Sequence, residues 1–143
     1  MKVKFKKLDP FARTPKFAHK GDAGADLFAT SYEYDAEHDN YVYGTGLAVE
    51  VPEGHVMLIF PRSSNRKTDC YMTNHVGVVD SGYRGEVMVT FKSRDRNFLT
   101  KPYEIGDRIA QAIILPYPGV EYEEADELSE TERGTGGHGS TGR

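Results

Sequence analysis

Val87-Met-Val-Thr-Phe-Lys92 alternates Val87, Val89 and Phe91 with three other residues, and this period of two is typical of a β-strand with one buried face. Two further alternating runs lie earlier in the chain. They are Val3 and Phe5 among lysines, and Leu47, Val49 and Val51. Residues 55–60 are almost continuously apolar, as expected of a strand buried on both faces, and a last apolar run spans residues 109–115. These patterns predict a chain of short strands.

Short turn signals separate the runs, at residues 52–54, 80–82, 105–107 and 116–118, and each contains glycine or proline. No stretch of ten residues has a period of 3.6, so helices are expected to be short or absent. One turn of helix is expected after residues 63–65, where a serine could cap it and the freed N–H groups could face an anion. The sequence therefore predicts an all-β fold, a jelly-roll-like β-sandwich or barrel.

The composition indicates one soluble domain. At 143 residues the chain is long enough for one hydrophobic core but not for two. Its net charge of −4 does not suggest a surface for duplex nucleic acid, and no apolar run approaches the roughly 18 residues of a membrane span. The single cysteine, Cys70, excludes an internal disulfide and a Cys-rich zinc site. We expect a soluble cytoplasmic protein with no direct contact to nucleic acid or membrane.

The end of the chain divides into two segments beyond a β body of residues 1–120. Residues 121–132 carry seven acids in twelve positions and predict a solvated acidic connector, which gives the next segment reach. Residues 133–143, Arg-Gly-Thr-Gly-Gly-His-Gly-Ser-Thr-Gly-Arg, cannot build a core, but their N–H groups, hydroxyls and guanidinium groups suit a phosphate. No Lys-Ser/Thr pair follows the glycines, so this is not a Walker loop. Composition by itself favours a flexible terminus, and the other motifs reverse that preference.

Four further segments place polar residues at strand ends or turns: residues 23–27, 61–64, 74–86 and 106–111. Each has an ordinary interpretation, such as a turn at Asp26 or a buried backbone group satisfied by Gln111. Together with the glycine-rich arm, in this order and spacing, they resemble the five sequence motifs of the trimeric dUTPases (dUTP pyrophosphatases). The resemblance extends from Ala23 to Thr141, nearly the whole chain.

The resemblance implies a jelly-roll homotrimer with three active sites at subunit interfaces. Each site would take the hairpin motif (residues 74–86) from one chain, the phosphate-binding motifs (residues 61–64 and 106–111) from a second chain, and the glycine-rich arm from a third. The implied reaction is hydrolysis of dUTP to dUMP and pyrophosphate, with Mg²⁺ on the triphosphate. Such an activity limits uracil incorporation into DNA and supplies dUMP for dTMP synthesis.

The same resemblance assigns roles to residues. Asp80 matches the carboxylate that positions water in line with the α-phosphorus, and Arg133 matches an arginine that stabilises charge on the departing pyrophosphate. Tyr83 matches the ring beneath the deoxyribose, where a 2′-hydroxyl would clash, and Asp26 an aspartate tied to magnesium through water. His138 departs from the family, which most often has phenylalanine there to stack on the uracil. The remaining substrate-binding positions are Asn74, Gly77 and Val79 in the uracil-reading hairpin, Arg62, Ser63, Ser64 and Gln111 along the triphosphate, and His138, Gly139, Ser140 and Thr141 in the arm.

Three alternatives stay open at this point. A dCTP deaminase, or a bifunctional deaminase and dUTPase, shares the fold but needs a glutamate to shuttle protons where this chain has Thr90. A non-catalytic dUTP-binding regulatory module would use exposed loops such as residues 31–40 or 94–101. A plain β-sandwich structural domain explains the strands but neither the glycine-rich arm nor the polar positions.

Overall fold

The computed structural model describes residues 1–94 and 101–137, and regular structure there is almost entirely β. The strands are β1 (Lys4–Lys7), β2 (Ala25–Phe28), β3 (Ser31–Asp35), β4 (Asn40–Glu50), β5 (His55–Pro61), β6 (Cys70–Met72), β7 (Gly77–Val79), β8 (Glu86–Ser93) and β9 (Arg108–Pro116). One antiparallel sheet has the order β1-β4-β8-β6, with β3 also paired to β4, and the second has the order β2-β9-β5-β7. The predicted all-β sandwich is confirmed, and a 3₁₀ helix over Ser63–Lys67 is the one helical segment in the described ranges. Nothing helical in residues 1–94 or 101–137 has the length and apolar character needed to cross a membrane.

The core lies between the two sheets. The burial of alternate residues in β8 confirms the pattern predicted from the sequence. Val87, Val89 and Phe91 are at most 3% exposed, whereas Met88 on the opposite face is 53% exposed. Phe91 packs edge-on against the buried ring of Tyr43, with ring centroids 5.9 Å apart. Burial raises the pKa of the Tyr43 hydroxyl to about 12. That hydroxyl donates to the Tyr103 carbonyl at 2.9 Å and ties the segment before β9 to the core.

β5 differs from the expectation of a strand buried on both faces. Met57 and Ile59 are each 3% exposed, but the alternate residues are covered only in part, because the other sheet packs on one face of β5 and not on the other. The register of β5 with β7 and β9 aligns these alternate residues into one surface. We call it the apolar outer face; it consists of Val56, Leu58, Phe60, Val78, Ile113 and Leu115.

Residues 31–40, expected to be an exposed loop, form a β-hairpin with the beginning of β4. Tyr32 lies opposite Tyr43, and Tyr34 lies opposite Tyr41. Their ring centroids are 5.9 and 5.2 Å apart, and such aromatic cross-strand pairs stabilise a hairpin. The polar residues between the tyrosines hid this strand from the sequence pattern. In the second expected loop, residues 95–100 lie outside the described ranges.

Candidate active site

A cleft of about 310 Å³ lies beside β7, and we call it the hairpin cleft. After β7 the chain turns over residues 80–83, where the N–H of Tyr83 donates to the carbonyl of Asp80 at 3.1 Å, and it then enters β8. The cleft brings together five predicted site residues that lie within ten positions of one another in the sequence. Its lining is Ile59, Asn74, Gly77, Val78, Val79, Asp80, Tyr83, Glu86, Val87, Met88 and Thr90.

Asp80 presents a carboxylate that the surrounding chain does not use. Its backbone carbonyl closes the turn, but its exposed side chain makes no hydrogen bond or ion pair with residues 1–94 or 101–137. A carboxylate accepts hydrogen bonds on both oxygens, at about four lone-pair positions. Asp80 can therefore hold a water molecule in the cleft without giving up a structural contact.

Tyr83 is anchored at its far end. Its hydroxyl donates to the backbone carbonyl of Glu86 at 2.9 Å, while the side chain remains 42% exposed and lines the cleft. Glu86 lines the same cleft, and its carboxylate accepts a hydrogen bond from the N–H of Gly46 at 2.7 Å. The ring is therefore fixed in orientation and still available to pack against a ligand.

The turn between β6 and β7, which crosses from one sheet to the other, and β7 itself supply backbone groups to the cleft. The turn has a hydrogen bond of 2.5 Å from the N–H of Val76 to the carbonyl of Asn74, and His75 has a φ of 56°. β7 follows as an edge strand of its sheet, paired to β5 on one side. An edge strand has N–H and C=O groups that the sheet does not use. Those of Gly77–Val79 can therefore pair with the polar edge of a planar base.

A second cleft, of about 360 Å³, lies where β2, β9 and the end of β5 meet, and we call it the arginine cleft. Asp26 on β2 is directly opposite Gln111 on β9, which in turn is paired with Phe60 on β5. The amide nitrogen of Gln111 donates to the Pro61 carbonyl at 3.1 Å. The lining of the cleft is Ala18, Asp22, Ala23, Gly24, Asp26, Arg62, Ser63, Gln111 and Ile113.

Asp26 holds two arginines at this cleft. It is 7% exposed, and its Oδ1 lies 2.6 Å from Nε of Arg62 while its Oδ2 lies 3.3 Å from Nη1 of Arg108. Charged hydrogen bonds of this kind are stronger than neutral ones and fix the plane of a guanidinium group. Since two cations share the Asp26 carboxylate, these three residues together keep a net positive charge, although a second carboxylate, Asp22, also lines the cleft.

Ser63 and Ser64 do not cap the 3₁₀ helix, contrary to the expectation from the sequence. The N-cap position is Arg62, and no side chain bonds to the first N–H groups of the helix. The Ser64 hydroxyl instead accepts a hydrogen bond from Nη1 of Arg62 at 2.9 Å, because the arginine is drawn back towards Asp26. Ser63 is exposed and lines the arginine cleft.

The described part of the arm does not join either cleft in the single chain. Nε of Arg133 donates to the carbonyl of Gly136 at 2.8 Å, within a local turn. The other predicted arm residues, His138, Gly139, Ser140 and Thr141, lie outside the described residues. As far as the description extends, the hairpin and arginine clefts share no lining residue, so one chain presents the predicted site in separate parts.

Comparison with known proteins identifies the family. The sequence model described as dUTPase matches residues 12–142. The chain is also 43% identical to the deoxyuridine 5′-triphosphate nucleotidohydrolase of Nocardia farcinica, over 98% of this chain and 85% of that protein. The chain belongs to the dUTPase family. A second dUTPase relative, from Picosynechococcus sp., is 39% identical over 99% of both chains.

Solved dUTPase structures share the fold. The dUTPase of Staphylococcus bacteriophage 80alpha, solved with dUpNHpp, has a TM-score of 0.81 and 28% identity over 99% of both chains. A mutant dUTPase from phage phi11 of S. aureus, solved to reveal the coordination of a structural Mg(II) ion, has a TM-score of 0.71 at 25% identity over 90% of this chain and 99% of that one. These comparisons do not favour the deaminase and regulatory alternatives.

The carboxylate of Asp26 has the acceptor positions that the waters of a hydrated magnesium ion require. In residues 1–94 and 101–137, no three His, Cys, Asp or Glu side chains come together as a metal site. Magnesium bound to phosphates usually keeps several waters and needs few protein ligands. Asp26 gives one lone-pair position of each oxygen to an arginine, so further positions can accept hydrogen bonds from such waters.

Arg108 and Glu86 have contacts at the two clefts that the sequence patterns do not reveal. Arg108 lies in the segment 106–111, and its contact with Asp26 links it to the arginine cleft, although Arg108 is not one of the lining residues. The sequence signal for Arg108 is a cation at the first position of β9, where Gln111 is the one other polar residue. Glu86 follows Gly85 within the third dUTPase motif, and its place in the hairpin cleft was not anticipated.

Proposed function

We propose that this chain is a dUTP diphosphatase, which hydrolyses dUTP to dUMP and pyrophosphate. The observation that carries the proposal is the hairpin cleft, where the unused carboxylate of Asp80 and the anchored ring of Tyr83 line one cavity. A member of the dUTPase family with both groups has an acceptor for the protons of water and a surface for the sugar. The activity limits uracil incorporation into DNA and supplies dUMP for dTMP synthesis.

Asp80 is the residue that positions the attacking water. Its carboxylate accepts a hydrogen bond from that water and holds the oxygen in line with the α-phosphorus. The water oxygen bonds to the α-phosphorus and gives up one proton to solvent through its hydrogen bond with Asp80, while the bond from the α-phosphorus to the bridging oxygen breaks and pyrophosphate leaves. Fixing the reacting atoms in this line removes much of the entropic barrier to the reaction.

The hairpin selects the base and the sugar. Backbone groups of Asn74, Gly77 and Val79 pair with the O2, N3 and O4 edge of uracil, supported by the unpaired edge of β7. The closed hairpin leaves no room for the 5-methyl group of thymine. Tyr83 packs beneath the deoxyribose and excludes a 2′-hydroxyl by steric contact.

The arginine cleft binds the triphosphate. Arg62 contributes charge, oriented by Asp26, and Ser63, Ser64 and Gln111 contribute neutral hydrogen bonds. Magnesium, with Asp26 accepting from its waters, would supply neutralisation of the triphosphate charge. From the arm, Arg133 stabilises charge on the departing pyrophosphate, Gly139, Ser140 and Thr141 close over the phosphates, and the ring of His138 stacks on the uracil.

We further propose a homotrimer with active sites at the subunit interfaces. A single substrate needs both clefts, yet among the described residues they share no lining. The apolar outer face leaves Val78 63% and Leu115 44% exposed, and contiguous apolar surface of this kind usually marks an interface. Residues 115–135 are all exposed in the single chain, which supports an arm that leaves its own subunit.

We also propose three segments and a location. A β body of residues 1–120, an acidic connector of residues 121–132 and a phosphate-binding arm of residues 133–143 are supported by the end of β9 at Pro116 and the exposure that follows. A cytoplasmic location is supported by the single cysteine, which is buried and unpaired.

Pyrophosphate release from dUTP, with Mg²⁺ present, tests the activity. We expect turnover of dUTP and rejection of UTP, dTTP and dCTP, because the last three differ at the sugar or at the base edge that the hairpin contacts. Ammonia release from dCTP, followed in the same experiment, would make the chain a deaminase. Binding of dUTP without turnover would leave a regulatory module.

Mixed subunits test the shared site. Asp80→Asn and Arg133→Ala chains are each expected to have low activity, and they are unfolded together in equal amounts and refolded. If the two residues reach one site from different chains, random association leaves about a quarter of the sites with both residues intact. Recovered turnover in a trimeric fraction from size-exclusion chromatography is the expected result. Recovery absent from a correctly assembled mixture would put both residues on the same chain.

A further inference from the structure

The ring of Tyr83 rests in a slot that exists because residue 85 has no side chain. A Cβ atom added to Gly85 would lie 2.6 Å from Cζ and 3.0 Å from Cε2 of Tyr83, and closer still to the hydroxyl oxygen. Ordinary contacts between such atoms are about 3.5–4.0 Å. The ring and the carbonyl of Glu86, which accepts the Tyr83 hydroxyl at 2.9 Å, therefore meet over a bare backbone.

The backbone conformation does not explain a glycine at this position. The φ of Gly85 is outside the left-handed region that favours glycine, unlike that of Gly46 or Gly54. Gly82, in the same connection between β7 and β8, also has a φ outside that region, but nothing lies within 4 Å of a Cβ added there. Contact with the Tyr83 ring is therefore what distinguishes Gly85 from its neighbour.

We propose that Gly85 is a specificity-determining residue, which seats the Tyr83 ring so that the enzyme distinguishes dUTP from UTP. This inference rests on the proposed function. The Tyr83 ring can exclude a 2′-hydroxyl group only if the ring does not move. Its position is fixed at the hydroxyl end by Glu86 and along one edge by the backbone of Gly85. An alanine at 85 displaces the ring by about 1 Å to restore ordinary contact and separates the hydroxyl from the Glu86 carbonyl.

The displacement should change selectivity more than stability. The colliding atoms belong to the far end of a half-exposed side chain, so the ring can swing aside while the strands keep their places. Once it has left the slot, the ring has no fixed orientation and yields to a 2′-hydroxyl. It also loses part of its contact with the deoxyribose, which weakens dUTP binding.

The experiment compares kcat/KM for dUTP and UTP in the wild type, Gly85→Ala and Gly82→Ala. We expect the dUTP/UTP ratio of Gly85→Ala to fall about tenfold, through a higher KM for dUTP and a gain on UTP. Gly82→Ala should keep the wild-type ratio. Tyr83→Phe, which keeps the ring but removes its bond to Glu86, should lower the ratio by a smaller factor.

Each outcome decides the inference. A wild-type ratio in Gly85→Ala, or an equal fall in Gly82→Ala, would overturn it, because the ring contact would then not set the selectivity. If Gly85→Ala fails to fold, the Tyr83→Phe ratio decides: an unchanged ratio overturns the inference. Turnover of dUTP by the wild type tests the proposed function separately from the role of Gly85. If the wild type does not turn over dUTP, both the proposed function and this inference are wrong.

Discussion

Replacing Asp80 with asparagine is expected to lower kcat for dUTP about a thousandfold, within the range of catalytic acid–base groups. Asparagine has nearly the same shape, but its amide has one acceptor oxygen in place of two and no charge to orient the water. KM and the dissociation constant of a non-hydrolysable dUTP analogue should change little. Pyrophosphate release gives kcat, and calorimetric titration gives the binding constant.

The structure makes this variant a clean test, because Asp80 has a structural role only through its backbone. The turn is closed by the Asp80 carbonyl, and the carboxylate has no partner in residues 1–94 and 101–137. The unfolding temperature of Asp80→Asn should therefore match the wild type. Asp9→Asn is the matched control, since the Asp9 carboxylate accepts the N–H of Phe11 at 2.7 Å in a turn outside both clefts. It should keep full turnover.

A kcat for Asp80→Asn near the wild-type value would remove Asp80 from the mechanism. A loss of turnover that came with an equal loss of analogue binding would instead make Asp80 a binding residue. Turn formation by an Asp-Ser-Gly sequence, the ordinary interpretation of residues 80–82, predicts a loss of stability without a specific loss of kcat.

The site residues of the hairpin cleft are predicted from their resemblance to the dUTPase motifs, and several of them are also close in sequence. Asn74, Asp80 and Tyr83 are connected by one short strand and two turns, so local rules of turn and strand formation bring them together. The alternation in β8 likewise determines which of its residues enter the core. In both cases the relevant distances along the chain are a few residues.

The arginine cleft depends on distances that local patterns do not encode. Asp26 and Arg108 are brought together by the pairing of β2 with β9, and the register shift between Leu27 and Phe28 alters that pairing just where they meet. No turn or periodicity specifies such a register between distant segments. The same limit explains why Arg62 was placed with the phosphate-binding residues but its pairing with Asp26 was not foreseen.

Replacing Asp26 with asparagine is expected to lower kcat/KM for dUTP about a hundredfold, mainly through KM, because Arg62 loses the contact that fixes its guanidinium group. The variant should also lose about 2 kcal/mol of unfolding free energy, since two guanidinium groups lose a charged partner. The loss is below that of a fully buried pair because the side chains of Arg62 and Arg108 are 21% and 49% exposed. Steady-state kinetics at several Mg²⁺ concentrations and urea unfolding measure the two effects.

Asp22→Asn is the control for charge, because it removes one negative charge from the same cleft without touching either arginine. The Asp22 carboxylate accepts the N–H of His19 at 2.7 Å, and an amide oxygen can still accept that bond. If Asp22→Asn raised KM as much as Asp26→Asn, the charge of the cleft rather than the orientation of Arg62 would govern binding.

A second outcome is that Asp26→Asn loses stability and keeps its KM. In that case either Ser64, 2.9 Å from Nη1 of Arg62, holds the arginine well enough, or the triphosphate binds elsewhere. Arg62→Lys separates these two cases, because a lysine keeps the charge but not the planar fork. Only a triphosphate bound in the arginine cleft makes the KM of that variant rise.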